Sequence, residues 1–205
     1  MDEKIARVLE EYESRLEIEN ALIRNLSPEE MRGRVDEFLI PVGPDVGRFM
    51  HDLAVAAKAK IIIELGTSYG YSAVWLASAA RQTGGKLLSI DLARDKQVYA
   101  LERLQRAGLE SYADFICGDA RTVLDLIAGP VDLVLIDLWK DLYIPCFDAV
   151  RPKLASPSYL VADNMTYPAV SHADAEKYRA HIRTRVDQTI LLPIGNGIEV
   201  SRIGS

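Results

Sequence analysis

The residues able to do chemistry stand where β-branched runs give way to polar turns. The first is Glu64-Leu65-Gly66-Thr67-Ser68-Tyr69-Gly70-Tyr71-Ser72, directly after Ile61-Ile62-Ile63. Gly66 and Gly70 let a backbone come close to a ligand, and a helix opening near Gly70 aims free N–H groups at an anion. A carboxylate at the end of a buried strand is costly unless it is paired or meets a cation. Glu64 therefore pairs with an internal lysine or meets a cationic ligand. A molecule carrying both an ammonium and a carboxylate would satisfy Glu64 and the helix start together. The spacing G-x-x-x-G lacks the middle glycine of the dinucleotide fingerprint, and no Gly-Lys-Ser/Thr follows to make a P-loop. The second run ends Ser89-Ile90-Asp91, which puts an acid at the distance suited to ribose hydroxyls. The third ends Cys117-Gly118-Asp119-Ala120. Asp119 either accepts from the amino group of a purine or caps the helix that begins at Arg121. Together the three strand ends describe an adenosine site without a phosphate cradle.

The fourth and fifth runs end in Asp137-Leu138-Trp139-Lys140-Asp141 and Ala162-Asp163-Asn164. Two carboxylates and an amide oxygen at one sheet edge suit a hard cation such as Mg²⁺, with Ca²⁺ or Mn²⁺ as substitutes. Lys140, one turn past Asp137, is placed to act as a base if its surroundings depress its pKa. The plainer alternative is that both aspartates cap helices and Lys140 is a solvated side chain.

These residues need a scaffold, and the apolar periodicity supplies one. Strands are predicted at about 61–65, 86–91, 113–117, 131–137 and 158–162, with helices between them at about 70–81, 95–107, 121–128 and 142–150. A further helix at about 172–184 precedes strands near 188–192 and 197–203, joined by the turn Pro193-Ile194-Gly195-Asn196-Gly197. Alternation of this kind gives an α/β fold with a parallel sheet covered on both faces and a closing antiparallel hairpin. Before it come an amphipathic helix over 2–24, with Ile5, Val8, Leu9, Tyr12 and Leu16 on one stripe, a second helix from Pro28 to about Glu37 opened by a capping box, and a third over about 45–58. The stripe is expected to pack on the chain's own sheet layer. The expectation is a single domain over 1–205, with 1–58 as a helical cover for cofactor and substrate and 59–205 as the cofactor-binding core.

The 205 residues are 49% hydrophobic and 26% charged, which excludes collagen-like, disordered and disulfide-scaffold classes. The 24 Lys and Arg against 30 Asp and Glu leave a net charge of -6, which weighs against nucleic acid and anionic membranes as partners. Cys117 and Cys146 read as reduced, packed thiols of a cytoplasmic protein. The charged start shows no signal peptide, and no apolar run approaches a membrane span.

The motifs Glu-x-Gly-x-x-x-Gly-Tyr-Ser, Asp-x-Trp-Lys-Asp-x-Tyr and Ala-Asp-Asn, spread over about Val42 to Asn164, resemble those of class I S-adenosyl-methionine-dependent O-methyltransferases of the catechol O-methyltransferase type. The resemblance implies a Rossmann-like, seven-stranded, mostly parallel sheet with an antiparallel last strand and N-terminal helices. It implies a cofactor site of Val42, Glu64, Gly66, Tyr69, Gly70, Tyr71, Ser72, Asp91, Asp119 and Ala120, bordered by Asp137 and Trp139. It implies Mg²⁺ at Asp137, Asp163 and Asn164, and Lys140 as general base. Phe38, Ile40, Trp139, Lys140, Asn164 and Pro168 would line the slot for a small aromatic diol. One departure stands out. Catechol enzymes carry a glutamate on the strand before the final hairpin to orient the second hydroxyl, whereas Gln188-Thr189-Ile190-Leu191-Leu192 has none; Asp187 and Glu199 are the nearest acids.

Other readings remain at this stage. Natural-product phenols are one alternative acceptor class, and a hydroxylated uridine of transfer RNA is another, with Arg179, His181, Arg183 and Arg185 as its basic face. A noncatalytic adenosine-binding module would have no use for the Asp137–Lys140–Asp163–Asn164 set. A dehydrogenase lacks its glycine fingerprint. Monomer and homodimer are both compatible with the sequence.

Overall fold

The computed structural model describes residues 2–204. Three helices come first: α1 (Glu3–Ile23), α2 (Pro28–Arg34) and α3 (Pro44–Ala56). Asp2 caps α1 through the Lys4 amide, and Ser27 with Glu30 forms the capping box of α2. Then follow β1 (Ile61–Leu65), α4 (Tyr71–Thr83), β2 (Lys86–Asp91), α5 (Arg94–Ala107), β3 (Ala113–Cys117), α6 (Ala120–Leu126), β4 (Val131–Ile136), α7 (Tyr143–Val150), β5 (Leu154–Ala162), α8 (His172–Ile182), β6 (Gln188–Leu192) and β7 (Ile198–Ile203). The second predicted helix ends in a single 3₁₀ turn over Val35–Glu37, and another such turn over Lys140–Leu142 leads into α7.

The seven strands form one sheet in the order β3-β2-β1-β4-β5-β7-β6. All neighbours are parallel except β7, which is antiparallel to both β5 and β6. The strand order reverses direction between β1 and β4, so the crevice for a ligand opens above their carboxyl ends. β5 starts four residues earlier than its apolar pattern predicts. Leu154 pairs with Val131, but the ladder then shifts register, and Ser156 and Pro157 are exposed. A polar, proline-containing start carries no apolar alternation, which hides it from a periodicity argument.

The α1 stripe packs inward as expected. Ile5, Val8, Leu9 and Tyr12 are buried against α4 and α5, and Glu11 pairs with Arg103 and Arg106 of α5. Helix α4 is buried over ten consecutive residues, Tyr71 to Ala80, because the small residues Ser72, Ala73, Ala77, Ser78, Ala79 and Ala80 let it sit between the sheet and the N-terminal helices. Gly70 caps its start at φ +87, and a Cβ there would collide with Ala100 of α5. Among the described residues, no helix is long and apolar enough to cross a membrane.

Candidate active site

At the carboxyl end of β1 the chain enters the glycine turn. Gly66 has φ +101, and a side chain there would overlap the Asp137 carbonyl oxygen. That close passage joins the two halves of the site: the Gly66 amide donates to Ile90 O, and the Asp137 amide donates to Leu65 O. A cavity of about 20 Å³ lies between this turn and the segment Leu39–Val42. Val42, Gly66, Tyr69, Gly70, Tyr71, Ser72 and Asp137 line it, with Ile40, Thr67 and Ser68. The Tyr69 ring leans away onto the N-terminal helices, beneath the Arg15 guanidinium at 4.3 Å, and its carbonyl accepts from Tyr12 Oη at 2.6 Å.

Asp91 accepts from the Ser68 amide at 2.7 Å with one oxygen and from the Ala93 amide at 2.8 Å with the other. These bonds hold the carboxylate at the mouth of the β1–β2 crevice. Glu64 is fully buried. No lysine meets it. Its Oε2 accepts from Ser89 Oγ at 2.5 Å, and its Oε1 has no hydrogen-bond partner. Burial pushes the carboxyl up to about 8, against the pull of the Ser72 and Ser89 hydroxyls.

Across the crevice, β4 and β5 end in Asp137 and Asp163. Asp163 is buried and its Oδ1 has no partner. Burial and the nearby Asp137 push Asp163 up to about 8; Asp137, likewise desolvated, is pushed up to about 6. Asn164, at φ +55, donates from Nδ2 to Asp137 Oδ1 at 3.0 Å and accepts from Asn196 Nδ2 at 3.0 Å. Lys140 Nζ donates to Asp163 O at 2.9 Å and to Tyr143 Oη at 2.5 Å. Desolvation lowers this ammonium to about 8, although both aspartates act to raise it. Two crowded carboxylates with one lysine near them form an anion-rich pocket short of positive charge. Among the described residues, no three or more His, Cys, Asp or Glu gather as a metal cluster. The donor set here is two carboxylates and an amide. It fits a hard cation in type. The amide oxygen faces Asn196, so it would join the set only by turning toward Asp137.

The other residues singled out in the sequence sit further out. Asp119 caps α6 through the Arg121 amide and pairs with the Arg121 guanidinium at 2.5 Å, so the capping role is the one realised. Ala120 is buried beside it. Trp139 is 67% exposed. Phe38 is buried under Arg34, while Ile40 is half exposed at the cavity. Pro168 is exposed on the loop after β5, beside the exposed Tyr167 and Val170. Glu199 is buried and bound to Arg179 Nε at 2.9 Å and Thr189 Oγ1 at 2.7 Å; Asp187 accepts from the Gly204 amide. Both acids nearest to the missing second-hydroxyl position are thus engaged. The basic face is spent in part: Arg179 pairs with Glu176 and Glu199 and His181 with Asp148, whereas Arg185 donates to the His181 carbonyl and Arg183 is exposed. Cys146 is buried as expected. Cys117 is exposed instead, because it ends β3 at the sheet's open edge.

Sequence reasoning missed Thr67, Ser89 and Gln97 around Glu64, and Tyr143 and Asn196 around the aspartates. Ser89 reaches Glu64 only because β1 and β2 pair in the register Glu64↔Ser89. Asn196 reaches Asn164 because the β6–β7 turn folds over the end of β5. Neither proximity carries a local signal.

A doubly wound sheet with a glycine turn after β1 and an acid after β2 at its switch point is that of the Rossmann-like S-adenosyl-methionine methyltransferases. Comparison with known proteins narrows this. Residues 63–165, half of the chain, match the family described as "Methyltransferase domain". The chain is 33% identical to a catechol O-methyltransferase of Niastella koreensis over 171 residues, covering 76% of this chain and 77% of that one. It is 30% identical to caffeoyl-CoA O-methyltransferase 2 of Populus trichocarpa over 186 residues, 80% of this chain and 75% of that one. In fold it is similar to the O-methyltransferase TomG of Streptomyces achromogenes, solved in complex with S-adenosyl-methionine. That match has a TM-score of 0.75 at 21% identity and covers 100% of this chain and 91% of the other. The chain belongs to the class I S-adenosyl-methionine-dependent O-methyltransferases of the catechol O-methyltransferase type, and it is an enzyme of that kind.

Proposed function

We propose that this enzyme moves the methyl of S-adenosyl-methionine to one hydroxyl of a small aromatic, catechol-like acceptor, with a divalent metal, Mg²⁺ first, at Asp137, Asp163 and Asn164. The observation that carries the reading is the unpartnered, buried Oδ1 of Asp163 beside Asp137, with Lys140 in reach. Such a pair is costly to keep unless a cation completes it. A bound divalent ion would favour the ionised form of the acceptor hydroxyl, whose ordinary pKa near ~10 keeps it protonated at neutral pH. The methyl donor brings a positively charged sulfonium, so charge is neutralised as the bond forms and an enclosed site helps. Lys140 Nζ, already drawn toward neutrality, takes the acceptor proton; such general base catalysis contributes ~10²–10⁴-fold. Tyr143 and the Asp163 carbonyl hold that amine in place. Glu64 takes the amino end of the cofactor. Asp91, fixed by two amides, takes the ribose. Val42, Gly66, Tyr69, Gly70, Tyr71 and Ser72 enclose the methionine portion, and Ala120 stands toward the adenine, with Asp119 beside it holding the start of α6. Phe38, Ile40, Trp139, Asn164 and Pro168 form the acceptor slot.

Residues 1–58 act as the cover and 59–205 as the core of one domain, which works in the cytoplasm as a monomer or homodimer. A natural-product phenol is favoured over catechol itself by the engagement of Glu199 with Arg179 and Thr189, which commits that acid away from a second hydroxyl. The test is methyl transfer from labelled S-adenosyl-methionine to a panel of catechols, hydroxycinnamates, larger phenols and bulk tRNA, with Mg²⁺ or EDTA. EDTA-sensitive transfer to a phenol is expected. Transfer that EDTA leaves unchanged removes the metal, and transfer to tRNA alone removes the acceptor class.

A further inference from the structure

Behind the glycine turn, three side chains to which the proposed reaction gives no role run in line to Glu64. Gln97 Nε2 lies 3.1 Å from Ile116 O, 3.4 Å from Ser89 O and 3.3 Å from Thr67 Oγ1. Thr67 Oγ1 is 2.6 Å from Ser89 Oγ, and Ser89 Oγ is 2.5 Å from Glu64 Oε2. All four side chains are buried, none more than 5% exposed. They come from four elements: α5, the turn, β2 and β1.

We propose that Gln97, Thr67 and Ser89 form a one-way hydrogen-bond relay that positions Glu64, occupying Oε2 and leaving Oε1 for the positively charged amino group of S-adenosyl-methionine. Gln97, Thr67 and Ser89 are positioning residues. The proposal rests on the reading that Glu64 belongs to the cofactor site.

The direction follows from what each group can do. The Ile116 and Ser89 carbonyls fix the Gln97 amide with its NH₂ inward, one N–H shared between the Ser89 carbonyl and Thr67 Oγ1, and NH₂ only donates. Thr67 Oγ1 therefore accepts from Gln97 and has its own proton to give. Ser89 Oγ is the acceptor on its path. Ser89 in turn gives its proton to Glu64 Oε2. Run the other way, with a protonated Glu64 donating to Ser89 and Ser89 to Thr67, the Thr67 hydroxyl would accept from both neighbours and its own hydrogen would meet no acceptor. A buried donor without an acceptor is costly. The relay thus selects an acceptor-only carboxylate at Oε2, and chained donors polarise one another toward it. No donor is in bonding geometry at the buried Oε1, although the Ser72 hydroxyl is near enough to pull on the carboxyl. An ammonium is the kind of group such an oxygen takes, whereas a neutral nucleoside brings no positive charge to it.

The experiment compares two ligands by calorimetry. S-adenosyl-methionine carries the amino group; methylthioadenosine keeps the nucleoside and lacks it. Thr67→Val removes the hydroxyl with little change of shape, and Thr67→Ser keeps it. Thr67→Val is expected to weaken S-adenosyl-methionine about three- to tenfold and to leave methylthioadenosine unchanged, with Thr67→Ser restoring the affinity. Ser89→Ala should do at least as much as Thr67→Val. Equal losses for both ligands overturn the relay in favour of packing. Unchanged affinity in Thr67→Val and Ser89→Ala, while Glu64→Gln still weakens S-adenosyl-methionine, also overturns it. Unchanged affinity in Glu64→Gln overturns instead the placement of Glu64 in the cofactor site. If Ser89→Ala fails to fold, the Thr67 pair decides alone.

Discussion

The two halves of the site satisfy their acids to different degrees. At the ends of β1 and β2, Asp91 has an amide on each oxygen and Glu64 has one oxygen held by Ser89. At the ends of β4 and β5, Asp163 Oδ1 has no partner, and Asp137 Oδ1 accepts only from the Asn164 amide, which a cation would displace. Apart from Glu64 Oε1, which is buried without a partner, the first half is built before its ligand arrives, so binding costs little rearrangement. The second half stores an electrostatic debt that only a cation or a proton relieves. Binding groups are preorganised, whereas groups that change charge during the reaction are held in environments that make the change easy.

Removing the base should break the second half most severely. Lys140→Ala is expected to lower kcat by ~10²–10⁴-fold with the dissociation constant of S-adenosyl-methionine within about threefold of wild type. Single-turnover rates and calorimetry separate the two, and equal losses would place Lys140 among the binding groups.

Asp163→Asn should abolish the response to Mg²⁺ and yet stabilise the metal-free protein. The sign follows from the raised carboxyl. Burial and the neighbouring Asp137 make the folded state hold the Asp163 proton to a pH well above the ~4 at which the unfolded chain loses it. Between those values the native state binds more protons, so metal-free stability falls as pH rises. The variant should melt higher at pH 8 by roughly 3 °C per kcal/mol relieved, with a flatter profile between pH 5 and 8. A variant that melts lower at pH 8 would mean that Asp163 is a satisfied structural acid.

In the first half, Glu64→Gln should weaken S-adenosyl-methionine about tenfold, the scale of a lost hydrogen bond to a charged group. The free carboxyl is raised to about 8 and is ionised in the complex, so binding at pH 7 should release protons. Calorimetry in buffers of different ionisation enthalpy reads that release, and a zero proton count would remove the charged contact.

Asp119→Ala is the mildest test. The acid already caps α6 and pairs with Arg121, so cofactor affinity should change less than threefold. A larger loss would assign Asp119 to the adenine after all.

Much of this was legible in the sequence for local reasons. Strand-end acids, the Gly66 and Gly70 spacing and the strand–helix alternation are short-range patterns, and short-range patterns survive in one dimension. The early start of β5 was not legible, because Ser156 and Pro157 break the apolar rhythm while the backbone still pairs at Leu154. Nor was the choice between the two roles of Asp119, which depends on where Arg121 points.

The sequence by itself determined the fold class, the order of the chemistry-bearing strand ends and the family motifs, because hydrophobic period and turn chemistry are properties of neighbouring residues. The tertiary structure decided which of those groups are satisfied. It set Ser89 against Glu64 through strand register, spent Glu199 on Arg179 and His181 on Asp148, and left Asp163 Oδ1 without a donor. Whether a polar atom finds a partner depends on residues far away in the chain, and on the water that packing excludes, and only the folded arrangement fixes both.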